Sequence, residues 1–144
     1  MSAWQTNKVY DAEHEVGRYG EALSVEEAER FITKVKNSVW WCNRTKVENI
    51  ELKIVGDLTG KQPDPGAIKE SWKRGRLWIY VRSLYKDHIL HELSHLITWP
   101  KPKHPTHGPD FVAVYLHLLQ VWTSCEFAGK MQKAFTERGV EWDE

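Results

Sequence analysis

The chain has 144 residues, of which 41% are hydrophobic and 28% are charged, and its formal net charge at pH 7 is zero. These values predict a single globular domain over residues 1–144 and exclude a disordered chain. Zero net charge does not favour nucleic-acid binding, because a nucleic-acid-binding domain is usually clearly basic. The chain shows neither a signal peptide nor a run of about 18 apolar residues, so we predict a cytoplasmic, soluble protein that does not enter a membrane.

The first half of the chain predicts one helix followed by strands. A capping box and apolar residues at helical spacing predict a helix over residues 24–40. Alternating apolar residues predict a half-buried strand at residues 50–55, and a glycine- and proline-rich loop follows at residues 56–66. Two more strands are predicted at residues 67–72 and 77–82, on either side of a basic turn.

The second half of the chain predicts three helices. The first begins at Ser83 or Lys86 and ends near Trp99, because the following proline disfavours a helical residue before it. A proline-stiffened connector follows at residues 101–106, and then a helix with Pro109 in its first turn. A last helix is predicted at residues 127–138. This order predicts an α+β fold in which a small, about three-stranded, mostly antiparallel sheet packs on helices.

The first of these three helices contains an HExxH motif. Residues 91–95 read His-Glu-Leu-Ser-His. Because residues four apart lie on one face of a helix, His91 and His95 can bind one zinc ion with Zn–N distances of about 2.0–2.1 Å. Glu92 lies beside them and can act as a general base on zinc-activated water. The sequence therefore predicts one Zn²⁺ per chain in a hydrolytic site.

A catalytic zinc site needs a third protein ligand as well as an open position. His107 is the preferred candidate, because it follows a proline-stiffened turn and precedes Gly108, which permits close backbone approach. His104 and His117 are the other candidates downstream, and both are also compatible with lining a cleft. His88, one turn before His91, is expected to line the cleft or to pack at the start of the helix.

Hydrolysis also requires a donor that stabilises the developing oxyanion. The sequence offers several aromatic and histidine side chains for this role and does not choose between them. The candidates are Tyr80, His104, Tyr115 and His117.

Two segments of this sequence resemble known families. The HExxH segment at residues 91–95, followed by His-Gly-Pro-Asp-Phe at residues 107–111, is similar to the HExxH…HGxxF arrangement of SprT-like and Wss1-like zinc metallopeptidases. That resemblance covers mainly residues 77–119. Residues 9–13 are also similar to a segment of a group of small uncharacterised metallohydrolases of actinobacteria and their phages.

The first resemblance implies a minimal zincin fold, with a small sheet over helices. It implies that Glu92 is the base and that Phe111 is a packing residue. It also implies that the strand at residues 77–82 borders the cleft, where an extended peptide could add to its edge. The implied zinc ligands are His91, His95 and His107.

The motif and the resemblance together predict a zinc-dependent metallohydrolase, with a peptidase acting on a peptide or protein substrate as the leading hypothesis. One alternative is a zinc hydrolase of a non-peptide amide or ester, because the HExxH helix does not define the substrate. The other alternative is a non-catalytic binding module with a structural, four-coordinate zinc. A variant of that module would bind single-stranded nucleic acid through the basic segment at residues 61–76, which the zero net charge does not favour.

Overall fold

A computed structural model describes residues 5–55, 66–98 and 107–143. The chain divides into two units, one made of residues 1–19 and 100–144 and the other of residues 20–99. Within the described ranges, no helix is both long and apolar enough to cross a membrane. The helices are α1 (Thr6–Val16), α2 (Val25–Lys36), α3 (Val39–Arg44), α4 (Lys86–Thr98), α5 (Pro109–Trp122) and α6 (Cys125–Glu137), and the strands are β1 (Asn49–Val55), β2 (Gly66–Lys69) and β3 (Arg74–Tyr80).

In the second unit, the sequence predicts a single helix at residues 24–40, but the structure has two helices there, α2 and α3. The predicted capping box is confirmed: the Ser24 hydroxyl accepts from the Glu27 amide, and the Ser24 amide donates to Glu27 Oε1 at 2.9 Å. The helix ends early because Ser38 is extended and its side chain caps the next helix by accepting from the Trp41 amide. A serine that can cap a new helix start therefore interrupts an apolar pattern that continues through it.

The sheet is mixed and has the strand order β1-β3-β2. Strands β2 and β3 form an antiparallel pair, whereas β1 runs parallel to β3 over the whole of its length. The prediction of a mostly antiparallel sheet is therefore wrong. Strand β1 pairs in parallel with β3 and not with β2, the next strand in the chain. The β3 strand is central and ends at Tyr80, and Val81–Ser83 form a short 3-10 helix instead of extending the strand. The strand at residues 77–82 was expected to offer a free edge to a peptide. Strand β3 instead pairs with β1 on one side and with β2 on the other.

Helix α4 packs against β2, β3 and α2 in the second unit. The side chains of Leu93 and Leu96 are fully buried, and so are those of Leu77 and Ile79 on β3. Gly75 permits this close approach, since a Cβ atom there would lie only 2.8 Å from a Leu96 methyl carbon. The sheet therefore fixes the position of the helix that carries the HExxH motif.

The described residues of the first unit form helices α1, α5 and α6, of which the sequence patterns do not predict α1. Both α1 and α5 contribute to its core, and α6 packs against both of them. Phe111 and Tyr115 stack in this core with ring centroids 5.7 Å apart. Pro109 is the first residue of α5, as predicted. The connector predicted at residues 101–106, and the loop predicted at residues 56–66 apart from Gly66, lie outside the described residues.

We expect Gly75→Ala to lower the free energy of unfolding by about 1–3 kcal/mol, because the new methyl group has to displace a buried leucine side chain. The matched control is Gly129→Ala on α6, where a Cβ atom meets nothing within 4 Å. That control should raise stability by about 0.5–1 kcal/mol, since alanine replaces glycine inside a helix. Urea unfolding of both variants measures the effects, and equal stability of Gly75→Ala and the parent chain would contradict the packing described above.

Candidate metal centre

The two histidines of the HExxH motif lie together on α4. Their rings are 5.2 Å apart between centroids and are inclined by 67°. His91 is buried, whereas His95 is half-buried. One turn of helix separates them, which places two imidazole nitrogens on one side of α4.

Glu92 is a buried carboxylate with a specific partner. Its Oε2 atom lies 3.1 Å from Nε2 of His88, one helical turn earlier. The side chains of His88 and Glu92 are only 12% and 6% exposed, so this contact is protected from water. His88 was predicted to line the cleft or to pack at the start of the helix, and its pairing with Glu92 was not predicted. The signal was present in the sequence, because a histidine four residues before a glutamate on a helix is within contact distance of it.

The environment of Glu92 favours its charged form. Burial on its own raises the pKa of this carboxyl, but the hydrogen bond with His88 and the positive charges of His91, His88 and His95 outweigh burial. The net effect holds the pKa of Glu92 below its ordinary value. Glu92 is therefore a carboxylate at neutral pH, which is the form that a general base requires.

His107 lies in the first unit, immediately before α5. Its backbone has a φ of 64°, a left-handed conformation that is uncommon for a residue other than glycine. Its ring makes edge contacts with Tyr10, at 5.0 Å between centroids, and with Phe111, at 4.8 Å. The ring nitrogen Nδ1 lies 3.2 Å from the hydroxyl of Thr6. His107 is thus a buried histidine with its backbone and its ring both held in place.

Three histidines form a group that could hold a metal ion. His91, His95 and His107 each offer one ring nitrogen, and these atoms lie within 4.8 Å of one another. Three imidazole nitrogens are a donor set that zinc uses in catalytic sites. Imidazole suits zinc as well as copper, iron and nickel, so the donor set does not define which metal is bound.

The other predicted site residues occupy different environments. Tyr80 is half-buried at the end of β3, where the Arg82 guanidinium lies 5.8 Å from its ring centroid. Tyr115 is fully buried in the core of the first unit. His117 is exposed on α5. His104 lies outside the described residues, and the oxyanion role of all four side chains stays a prediction.

Two residues without a predicted role, Gln5 and Thr6, contact His107. The Gln5 side chain donates from Nε2 to the His107 carbonyl at 2.7 Å, and Thr6 contacts the ring as described above. More than 100 positions separate these partners in the chain, so no local pattern signals the contacts. The only local signal is the presence of two polar residues at the start of an amphipathic helix.

Comparison with known proteins gives no relative for this chain: no family model, no curated protein and no solved structure matches it. The similarity to SprT-like and Wss1-like enzymes accordingly stays an expectation based on the motif residues.

We expect the purified protein to bind about one zinc ion per chain and His107→Ala to lose most of it on dialysis against a chelator, because two imidazoles alone make a weak site. The matched control is His117→Ala, which removes an exposed histidine from α5. Elemental analysis of the dialysed proteins provides the measurement. Full zinc content in His107→Ala would exclude this residue as a ligand.

Proposed function

We propose that this protein is a zinc-dependent metallohydrolase and that its reaction is the hydrolysis of a peptide bond. The observation that carries the proposal is the combination of a three-histidine group with an ionised, buried glutamate next to one of its members. A group of this kind supplies both the ligands and the base that zinc hydrolysis needs. We also propose that the fold is a minimal zincin, in keeping with the expectation from the sequence.

A group of three potential ligands is compatible with a catalytic site. In the described ranges 5–55, 66–98 and 107–143, the group of potential ligands has three members, all of them histidines. A structural zinc site is closed by four protein ligands, whereas a catalytic site has three and keeps one position open. When bound there, zinc would lower the pKa of a water molecule toward about 7 and polarise the carbonyl of the substrate.

Glu92 is the residue that we propose as the general base. His88 engages its Oε2 atom, which leaves Oε1 to accept the proton of the attacking water. The hydrogen bond with His88 favours the ionised form of the Glu92 carboxyl, which is the form that accepts a proton. The same carboxyl can then pass the proton to the leaving amine, as general acid–base catalysis requires.

His88 is the residue that we propose to orient the base. A carboxylate on a flexible glutamate side chain can rotate, and a fixed hydrogen bond to one oxygen determines where the other one points. The contact joins residues one turn apart on the same helix, so its geometry is set by α4 itself.

Glu92→Gln should retain zinc and stability but reduce hydrolysis by about 10²–10⁴-fold, because glutamine keeps the shape of glutamate without a proton acceptor of comparable basicity. Fluorescein-labelled casein is a suitable peptide substrate, and 4-nitrophenyl acetate tests the alternative of a non-peptide ester. Zinc content and thermal unfolding serve as controls on the same samples. Undiminished turnover by Glu92→Gln would rule out the role proposed for this residue.

His88→Phe should lower kcat by about 10–100-fold with KM and zinc content unchanged, as expected when a partner that orients a catalytic group is lost. His88→Gln, which can still donate a hydrogen bond across one helical turn, should recover much of the rate. The measurement is steady-state kinetics on the casein substrate. If His88→Phe and the parent chain have the same kcat, Glu92 does not depend on His88 for its orientation.

A further inference from the structure

The second unit contains a pocket of about 490 Å³ where strands β1 and β3 begin. Its walls come from the end of α2, the first residues of β1 and β3, and the residue that follows β2. Pockets of about 300–1,000 Å³ are the usual size for small organic ligands. Among the described residues, its lining includes three cations and three carboxylates, which are Lys36, Arg74, Arg76, Glu48, Glu51 and Glu70.

The charges around this pocket are only partly paired with one another. The Nε atom of Arg76 donates to Oε1 of Glu51 at 2.9 Å, and its Nη2 atom lies 3.0 Å from Oε2 of Glu70. These contacts engage one cation and two carboxylates. Within the described ranges, the side chains of Lys36 and Arg74 take part in no ion pair or hydrogen bond. Two cationic groups at the pocket are therefore available to a ligand.

The backbone around the pocket is held by hydrogen bonds between the strands. The amides of Glu48 and Asn49 both donate to the carbonyl of Lys73, at 3.0 and 3.1 Å. The carbonyl of Arg74 accepts from the Glu70 amide at 2.9 Å. The backbone positions that carry these side chains are thus fixed, and a ligand has to order the side chains alone. A smaller ordering cost leaves more of the interaction energy for binding.

An arginine together with a lysine suits a phosphate group. A guanidinium can bind two oxygens in parallel, and an ammonium binds phosphate as a point charge. A phosphate monoester carries about −1.5 to −2 charges at pH 7 and three acceptor oxygens, so it can engage both cations at once. The remaining carboxylate, Glu48, accepts hydrogen bonds and repels anions, which favours a ligand whose other groups are hydroxyls.

We propose that this pocket binds a small phosphorylated polyol, with its phosphate on Lys36 and Arg74 and its hydroxyls on Glu48. The inference goes beyond the proposed function and does not rest on it, because none of the residues that line the pocket is a proposed metal ligand or catalytic residue. Its consequence is that the second unit recognises a ligand through the start of its sheet.

The test follows the backbone amide signals of Glu48 and Arg74 in ¹H–¹⁵N spectra while glycerol 3-phosphate is added. Shifts at these amides locate binding in the pocket and separate it from phosphate bound elsewhere on the protein. Arg74→Gln and Lys36→Gln should each raise the Kd by about 10-fold, because each loses a charge-assisted hydrogen bond to the phosphate. The matched control is Lys34→Gln, which removes an exposed lysine of α2 that does not line this pocket and should leave the Kd unchanged.

Two further probes test the chemistry of the ligand. Glycerate keeps two hydroxyls and has a carboxylate in place of the phosphate, so it should bind about 10-fold more weakly than glycerol 3-phosphate. Inorganic phosphate has no polyol part. Glu48→Gln should bind inorganic phosphate more tightly than the parent chain does, because a like charge has been removed, and its preference for glycerol 3-phosphate should shrink.

The outcomes decide the inference without involving the metal centre. Weaker binding by Arg74→Gln and Lys36→Gln, with Lys34→Gln and the unfolding temperatures unchanged, would support the site. Equal Kd values for Arg74→Gln and Lys34→Gln, or no shifts at the Glu48 and Arg74 amides, would overturn it. Glycerate bound as tightly as glycerol 3-phosphate would overturn the assignment of a phosphate ligand. The metallohydrolase proposal stands or falls separately, on the zinc content and the Glu92→Gln activity described above.

Discussion

The buried negative charge of Glu92 is the constraint on which the rest of α4 depends. An ionised carboxylate inside a protein is costly unless it is paired and hydrogen-bonded. Its hydrogen bond with His88 and the nearby imidazoles of the same helix meet that requirement, and they lower the pKa of Glu92 in spite of its burial. Leu96, one turn after Glu92 on the same side of α4, packs against the sheet at Gly75. Packing therefore holds the helix one turn from its buried charge, and hydrogen bonding and electrostatics arrange its polar side chains.

The environment of His107 obeys a different constraint, which is backbone strain. The left-handed conformation costs about 1–3 kcal/mol. The hydrogen bond from the Gln5 side chain to the His107 carbonyl contributes about 0.5–1.5 kcal/mol toward offsetting that strain, and two further bonds join the same side chain to the Glu141 backbone. The C-terminal segment takes part as well, because the Asp143 amide donates to the carbonyl of Pro109 at the start of α5. Segments near both ends of the sequence thus stabilise one turn.

The sequence predicted what short-range patterns determine. The helix at Lys86–Thr98, the proline at the start of α5 and the capping box at Ser24 all depend on patterns within a few residues, and each lies where it was predicted. The parallel pairing of β1 with β3 joins strands about 25 positions apart, and alternation alone does not specify which neighbour a strand selects. The contacts of Gln5 and Thr6 with His107 span more than 100 positions and have no local signature. His88 is the instructive case, since its spacing from Glu92 was visible and only its burial in the fold gave it significance.

The pairing of Glu92 with His88 is one basis of our proposal that Glu92 is a base rather than a fourth ligand. Glu92 is one residue from His91 and three from His95, so its side chain leaves α4 beside theirs. Its Oε2 atom is directed toward His88, one turn nearer the N-terminus of α4. Glu92 is not a member of the group of potential metal ligands found among the described residues. We therefore propose that its carboxylate receives a proton beside an open metal site and does not close that site as a fourth ligand.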